Sequence, residues 1–196
     1  MVGRNADLQS QIELLTQILE QNHPLFKVIE GASRIGLKDY YIGAGCIAQT
    51  VWNDQLSLEL TNGISDIDFA YYDNSDLSFE AESRTIDQIT HTIGVGEIRL
   101  DIKNQVRVHL WYKDHFGYDI TPYHSIESAI NTWPTTATSV GVRLEHGELK
   151  VYAPFGLNDL FSMVVRANKA QITEEIYLRK IKKWRESWPG IAVIPW

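Results

Sequence analysis

The sequence predicts an α+β (α/β) fold in which a mixed sheet is flanked by helices, and three observations carry that expectation. Apolar residues recur at helical spacing over Leu8–Leu19, Phe79–Ile93 and Thr173–Ser187. Short aromatic and β-branched runs, Asp39–Ile42, Gly63–Tyr72 and Ile98–Trp111, read instead with the period of a strand. Turn punctuation separates them at Gly43-Ala44-Gly45, Thr61-Asn62-Gly63 and Asp73-Asn74-Ser75-Asp76, so helices and strands interleave.

At 196 residues the chain suits one domain, 1–196, with a core at 39–152 between N-terminal helices (1–38) and C-terminal helices (153–196). Its 44% apolar and 22% charged content is that of a soluble globular protein. No stretch is long and apolar enough to span a bilayer. Arg4, Asp7 and Glu13 interrupt the N-terminal region, which does not read as a signal peptide. The expected location is therefore the cytoplasm. The single cysteine, Cys46, fits a reducing compartment and excludes an internal disulfide or a cysteine metal cluster. A net charge of −7 works against nonspecific nucleic-acid binding, which depends on Lys and Arg neutralising phosphates. The basic cluster Lys180, Lys182, Lys183 and Arg185 reads as a solvated helix face.

Taken in order, Leu8, Ile12, Leu15 and Leu19 form the apolar stripe of a first helix capped by Asp7. Pro24 opens a second helix with Leu25, Val28 and Ile29, ending near Gly36. A strand over 39–42 meets the glycine turn, which opens a helix carrying Ile47, Val51 and Trp52. The next strand contains Ser65-Asp66-Ile67-Asp68-Phe69. Alternation puts Asp66 and Asp68 on one face and Ile67 and Phe69 in the core. After the helix at 79–93, with Glu80 and Glu82 at its positive end, one long strand is expected over Ile98–Trp111. On it Asp101, Arg107 and His109 would share a face. A short helix through Ile126 and Ile130, a hairpin around His146-Gly147, an apolar helix with Leu157, Leu160, Phe161 and Val164, and a last helix with Tyr177, Ile181 and Trp184 complete the chain.

Two carboxylates side by side repel unless a cation lies between them, so Asp66-x-Asp68 suggests a divalent, oxygen-liking metal such as Mg²⁺. Asp101 is the candidate third acid, with Asp119 as its rival. Glycines let backbone approach a triphosphate, and the N–H groups opening the next helix supply donors. Three carboxylates can hold two metal ions about 3.5–4 Å apart.

This order resembles the DNA polymerase β-like nucleotidyltransferase superfamily, and more closely a bacterial nucleotidyltransferase-like family. The marks run from about Tyr41 to Trp188: Ala44-Gly45 with Thr50-Val51-Trp52, Ser65-Asp66-Ile67-Asp68, Lys103 to His109, Trp133-Pro134, Val140 to Arg143, Ala153 to Phe161, and Arg166 with Asn168. The resemblance implies the polymerase β-like fold and transfer of a nucleoside monophosphate from an NTP with Mg²⁺ (or Mn²⁺). It implies Asp66, Asp68 and Asp101 as metal and catalytic residues. The candidate nucleotide-binding set is Gly43, Gly45, Cys46, Ser65, Arg107 and His109. Arg107 and His109 read equally well as partners of nearby acids. Arg143 and Arg166 are further triphosphate candidates, and Asn104 reads as a buried hydrogen-bonding residue. Two departures stand out: Ala48-Gln49 where the family usually has Arg-Asn, and Cys46 where the superfamily often has Ser. The expected acceptor is a small molecule or a protein side chain, not nucleic acid. The rival readings are a nucleotide-binding or protein-binding module without turnover and a metal-dependent nucleotide hydrolase.

Overall fold

The computed structural model describes residues 2–94, 96 and 98–196. Its five-stranded sheet has the order β3-β2-β1-β4-β5, built from β1 (Tyr40–Gly43), β2 (Asp66–Tyr71), β3 (Arg99–Asn104), β4 (Gly141–Glu145) and β5 (Glu148–Tyr152). β2 and β3 run parallel, joined by α4 (Phe79–Ile93), and the other pairs are antiparallel. This is the mixed sheet flanked by helices that the alternating patterns predict.

One face of the sheet carries the main core. Ile42, Ile67, Phe69 and Tyr71 pack there against Leu15, Ile29, Val51 and Ile89 of the surrounding helices, which are α1 (Leu8–Gln21), α2 (His23–Ala32), α3 (Gly45–Gln55) and α4. Asp7 caps α1 by accepting from the Ser10 amide, and Asn22 and Ser78 do the same for α2 and α4. The buried stripe of α1 is Leu15, Ile18 and Leu19 with Gln11. Leu8, the first residue of the helix, is exposed and outside that stripe.

The other face is covered at one end by α6 (Ile126–Ile130), where Tyr41, Ala70, Ile126 and Ile130 form a smaller cluster. Its other end stays open. α8 (Glu174–Ser187) borders that opening, held to α3 by edge-on contacts of Trp52 with Trp184 and Trp188 at 5.6 Å.

The expected long strand over 98–111 stops at Asn104. There the Asn104 side chain bonds both the amide and the carbonyl of Asp73, while its own amide donates to Glu82. A 3₁₀ turn, Gln105–Arg107, leads into α5 (Val108–Phe116). Val106 and Val108 alternate as in a strand, but Val108 and Tyr112 also lie one helical turn apart and are both buried. The apolar pattern satisfies either period, and the Asn104 anchor decides it. Val164 likewise lies outside its expected helix. α7 (Asn158–Phe161) ends early, Met163 takes φ 52°, and β6 (Val164–Val165) pairs in parallel with β7 (Ala192–Val193).

Candidate active site

The parallel and antiparallel registers set three residues in one row. Gly43 lies opposite Asp68 across β1 and β2, and Asp68 lies opposite Asp101 across β2 and β3. Neighbouring strands are about 4.8 Å apart, so Asp68 and Asp101 are adjacent. Asp66 projects from the same face, two residues earlier. All three acids line a cleft of about 530 Å³ on the open end of the sheet. Asp119 is elsewhere, exposed and paired with Lys113 at 2.7 Å.

The acids differ in their partners. Asp66 accepts from Arg99 Nη2 at 2.8 Å and Asp101 pairs with Lys103. Asp68 has no ion pair among the described residues. Burial, then the charges of Asp66 and Asp101, push its carboxyl up to about 7. Lys180 of α8 faces the same cleft, and burial lowers its ammonium pKa against the opposing pull of Asp68. Among the described residues no three His, Cys, Asp or Glu side chains are grouped closely enough to hold a metal ion, and two of the three carboxylates are engaged by Arg99 and Lys103.

Beside the acids lies the glycine turn. A Cβ on Gly43 would stand 2.5 Å from the Val140 carbonyl oxygen and 2.8 Å from the Trp133 ring, so only glycine fits. Ala44 holds φ 59° and ψ −128°, a conformation L-residues rarely adopt. No side chain caps α3. Its first amides therefore stand open beside Gly45 and Ser65 at the cleft. Cys46 turns inward instead: its thiol donates to the Gly43 carbonyl at 3.0 Å, and burial raises its pKa. Any contact it makes in the cleft comes from its backbone. Of the two departures after the turn, Ala48 is wholly buried in the core and Gln49 faces the cleft.

Arg107 and His109 are not brought to the cleft. Arg107, in the 3₁₀ turn, donates from Nε to the Leu77 carbonyl at 3.0 Å and pairs with Glu82, which pins the end of β3 to α4. His109 sits on α5 and does not line the cleft. Both lose the face they would have shared with Asp101 because β3 ends at Asn104. Arg143 stacks on Tyr41 and pairs with Glu145, and Arg166 pairs with Asp159. In their place the cleft has Arg179, Lys180 and Lys183 on α8. The helix buries Tyr177, Ile181 and Trp184, and these cations flank that stripe. Their spacing was visible in the sequence; their position opposite the acids was not. The α5 wall of the cleft, with Trp111, Tyr112 and Phe116, also went unforeseen.

The nucleotidyltransferase family profile matches residues 30–193, a span that includes the glycine turn, all three acids and α8. The chain belongs to that nucleotidyltransferase family. A solved NMR structure described as revealing a CCA-adding enzyme head domain is similar, with a TM-score of 0.74 and 24% identity over 92% of this chain and 96% of that one. At that identity the likeness concerns the fold alone. No curated protein is significantly similar in sequence. Among the described residues of this nucleotidyltransferase no helix is long and apolar enough to cross a membrane.

Proposed function

We propose that this nucleotidyltransferase moves a nucleoside monophosphate from an NTP, with a divalent metal, to a small-molecule or protein acceptor. The observation that carries the reading is that Asp68 and Asp101, paired across β2 and β3, line one cleft together with Ala44, Gly45 and the cations of α8. On one side of Asp68 the uncapped amides of α3 offer donors and a positive dipole end to phosphate oxygens. Arg179, Lys180 and Lys183 offer charge to the departing pyrophosphate. On the other side Asp101 is the group to accept the acceptor's proton.

The donor set fits a divalent cation: Asp68 is half-buried, has no ion pair among the described residues and is repelled by two neighbours. Asp66, Asp68 and Asp101 would hold Mg²⁺ or Mn²⁺ once Arg99 and Lys103 swing away. Bound there, the metal supplies charge neutralisation at the α-phosphate and lowers the pKa of the attacking hydroxyl. Lys103, released from Asp101, remains in the cleft to offset negative charge.

Melting curves with and without metal test this. At an NTP concentration 100 times the dissociation constant, NTP with Mg²⁺ should stabilise by about 2.7 kcal/mol, and EDTA should remove the gain. An equal gain in EDTA would refute the three acids as the metal site. A second reading, nucleotide binding without turnover, draws on the same two ion pairs, which already neutralise two of the acids. Repeated pyrophosphate release per enzyme excludes it.

A further inference from the structure

The cleft is chemically divided, and its second half carries no role in the reading above. In-line displacement at the α-phosphorus requires the acceptor to approach from the side opposite the leaving pyrophosphate. The α3 amides stand on the β1 side of Asp68, so the acceptor approaches across Asp101, from the β3 side. The wall on that side is α5, which follows β3 directly and presents Trp111, Tyr112 and Phe116. Facing it across the cleft are Ile172 and Ile176. These lie on the approach to α8 and on its first turn, whereas Lys180 and Lys183 lie further along the helix. Along the helix Lys180 lies about 6 Å and Lys183 about 10 Å beyond Ile176 at 1.5 Å per residue, so the apolar stretch comes first and these two cations follow it.

The aromatic end is also fixed in shape. The Tyr118 hydroxyl donates to the Gln171 carbonyl at 2.8 Å and lies 3.3 Å from the Tyr112 hydroxyl. Tyr123 donates to Gln171 Oε1 at 2.8 Å and meets Thr132 at 2.9 Å. With its side-chain Oε1 engaged by Tyr123, Gln171, which lines the cleft, keeps its amide N–H₂ free of partners among the described residues. Among the described residues the cations nearest this side are each paired with an acid: Arg107 with Glu82, Lys113 with Asp119, Arg179 with Glu175 and Lys103 with Asp101.

We infer that the acceptor is a small molecule whose nucleophilic hydroxyl is carried by a planar aromatic ring system, seated between Trp111 and Tyr112 on one side and Ile172 and Ile176 on the other. The ring edge carries a carbonyl or ring nitrogen that accepts from Gln171. The inference rests on the nucleotidyl-transfer reading. In the step it serves, the acceptor oxygen bonds to the α-phosphorus and its proton passes to Asp101. The bond from that phosphorus to the α,β-bridging oxygen breaks, and pyrophosphate leaves with the electron pair.

The full chain, loaded with a nonhydrolysable NTP and Mg²⁺, is titrated with 3-hydroxypyridine, 6-hydroxyquinoline and 4-hydroxybenzaldehyde, and with glucose and a tRNA mixture for comparison. Binding is followed by ligand-observed NMR and by quenching of indole fluorescence. At least one of these hydroxylated rings should bind about tenfold more tightly than glucose, the size expected of a ring stacked on an aromatic wall. Trp111→Ala should remove that preference while leaving NTP affinity within about twofold. Gln171→Ala gives a second variant at a half-exposed position. Absence of binding by every aromatic probe, tighter binding of glucose or tRNA, or an equal loss of NTP affinity in Trp111→Ala would overturn the inference; the last would give the wall to the nucleobase. Failure of NTP with Mg²⁺ to bind at all would instead remove the transfer reading beneath it.

Discussion

Replacing Asp68 by Asn should make the metal-free protein more stable, and the effect should grow with pH. In the open chain Asp68 ionises near its ordinary 3.8, whereas in the fold burial and its acidic neighbours push it up to about 7. Between those values the folded protein holds a proton that the unfolded chain has released. Stability therefore falls as pH rises through the window and stays lowered above it. At about 1.4 kcal/mol per pKa unit the ceiling is about 4 kcal/mol. Two effects reduce it: the carboxylate keeps some water, and Lys180 loses an attractive neighbour when the charge is removed. The expected gain is about 1–2 kcal/mol at pH 8, or about 3–6 °C in melting temperature for a chain of this size. It should narrow toward pH 4.5. Melting followed by circular dichroism in EDTA at both pH values measures it, and NTP with Mg²⁺ should then raise wild type but not the variant. If Asp68→Asn melts at or below wild type at pH 8 with unchanged spectra, Asp68 bears no uncompensated charge and the electrostatic argument fails.

Three further substitutions separate structure from site. Gly45→Ala should leave stability within about 1 kcal/mol, because its Cβ meets only the flexible Gln49 amide at 3.3 Å and alanine favours a helix; calorimetry should show weaker NTP binding. Gly43→Ala should fail to give a folded protein, read as loss of the cooperative melt, since the new methyl collides with the Val140 backbone. Arg107→Ala should cost about 3–5 kcal/mol in urea unfolding, the penalty for leaving the buried Glu82 uncompensated. At a temperature where that variant stays folded, NTP affinity should be unchanged, and a selective loss of NTP binding would return Arg107 to the site.

The strand carrying Asp66 and Asp68 was legible because its two faces are so different: acids on one, Ile67 and Phe69 on the other. The position of Asp101 was legible too, although the strand length around it was not. Val106 and Val108 fit two periodicities, and a tertiary contact, Asn104 with Asp73, chose between them. That single break removed Arg107 and His109 from the cleft. Lys180 and Lys183 show the opposite failure. A basic helix flank looks the same in sequence whether it meets solvent or an acidic cleft, and the packing of Trp184 and Trp188 on Trp52 makes the difference. Of the glycine turn, Gly45 lines the cleft, while the Cys46 thiol turns into the core, which spacing alone does not reveal.

Trp188 ties these elements together more tightly than their separation along the chain suggests. Its indole nitrogen donates to Asn53 Oδ1 at 2.7 Å on α3, its ring lies where a Cβ on Gly63 would come within 2.7 Å, and it closes the end of α8. α3, the loop entering the acid strand and the cationic helix thus meet at one indole. The three walls of the cleft act as a single joint. Changes made on different walls will therefore interact rather than add, and a disturbance at Trp188 will be felt as a loss of alignment between the glycine turn, the acids and the cations, with none of those groups altered.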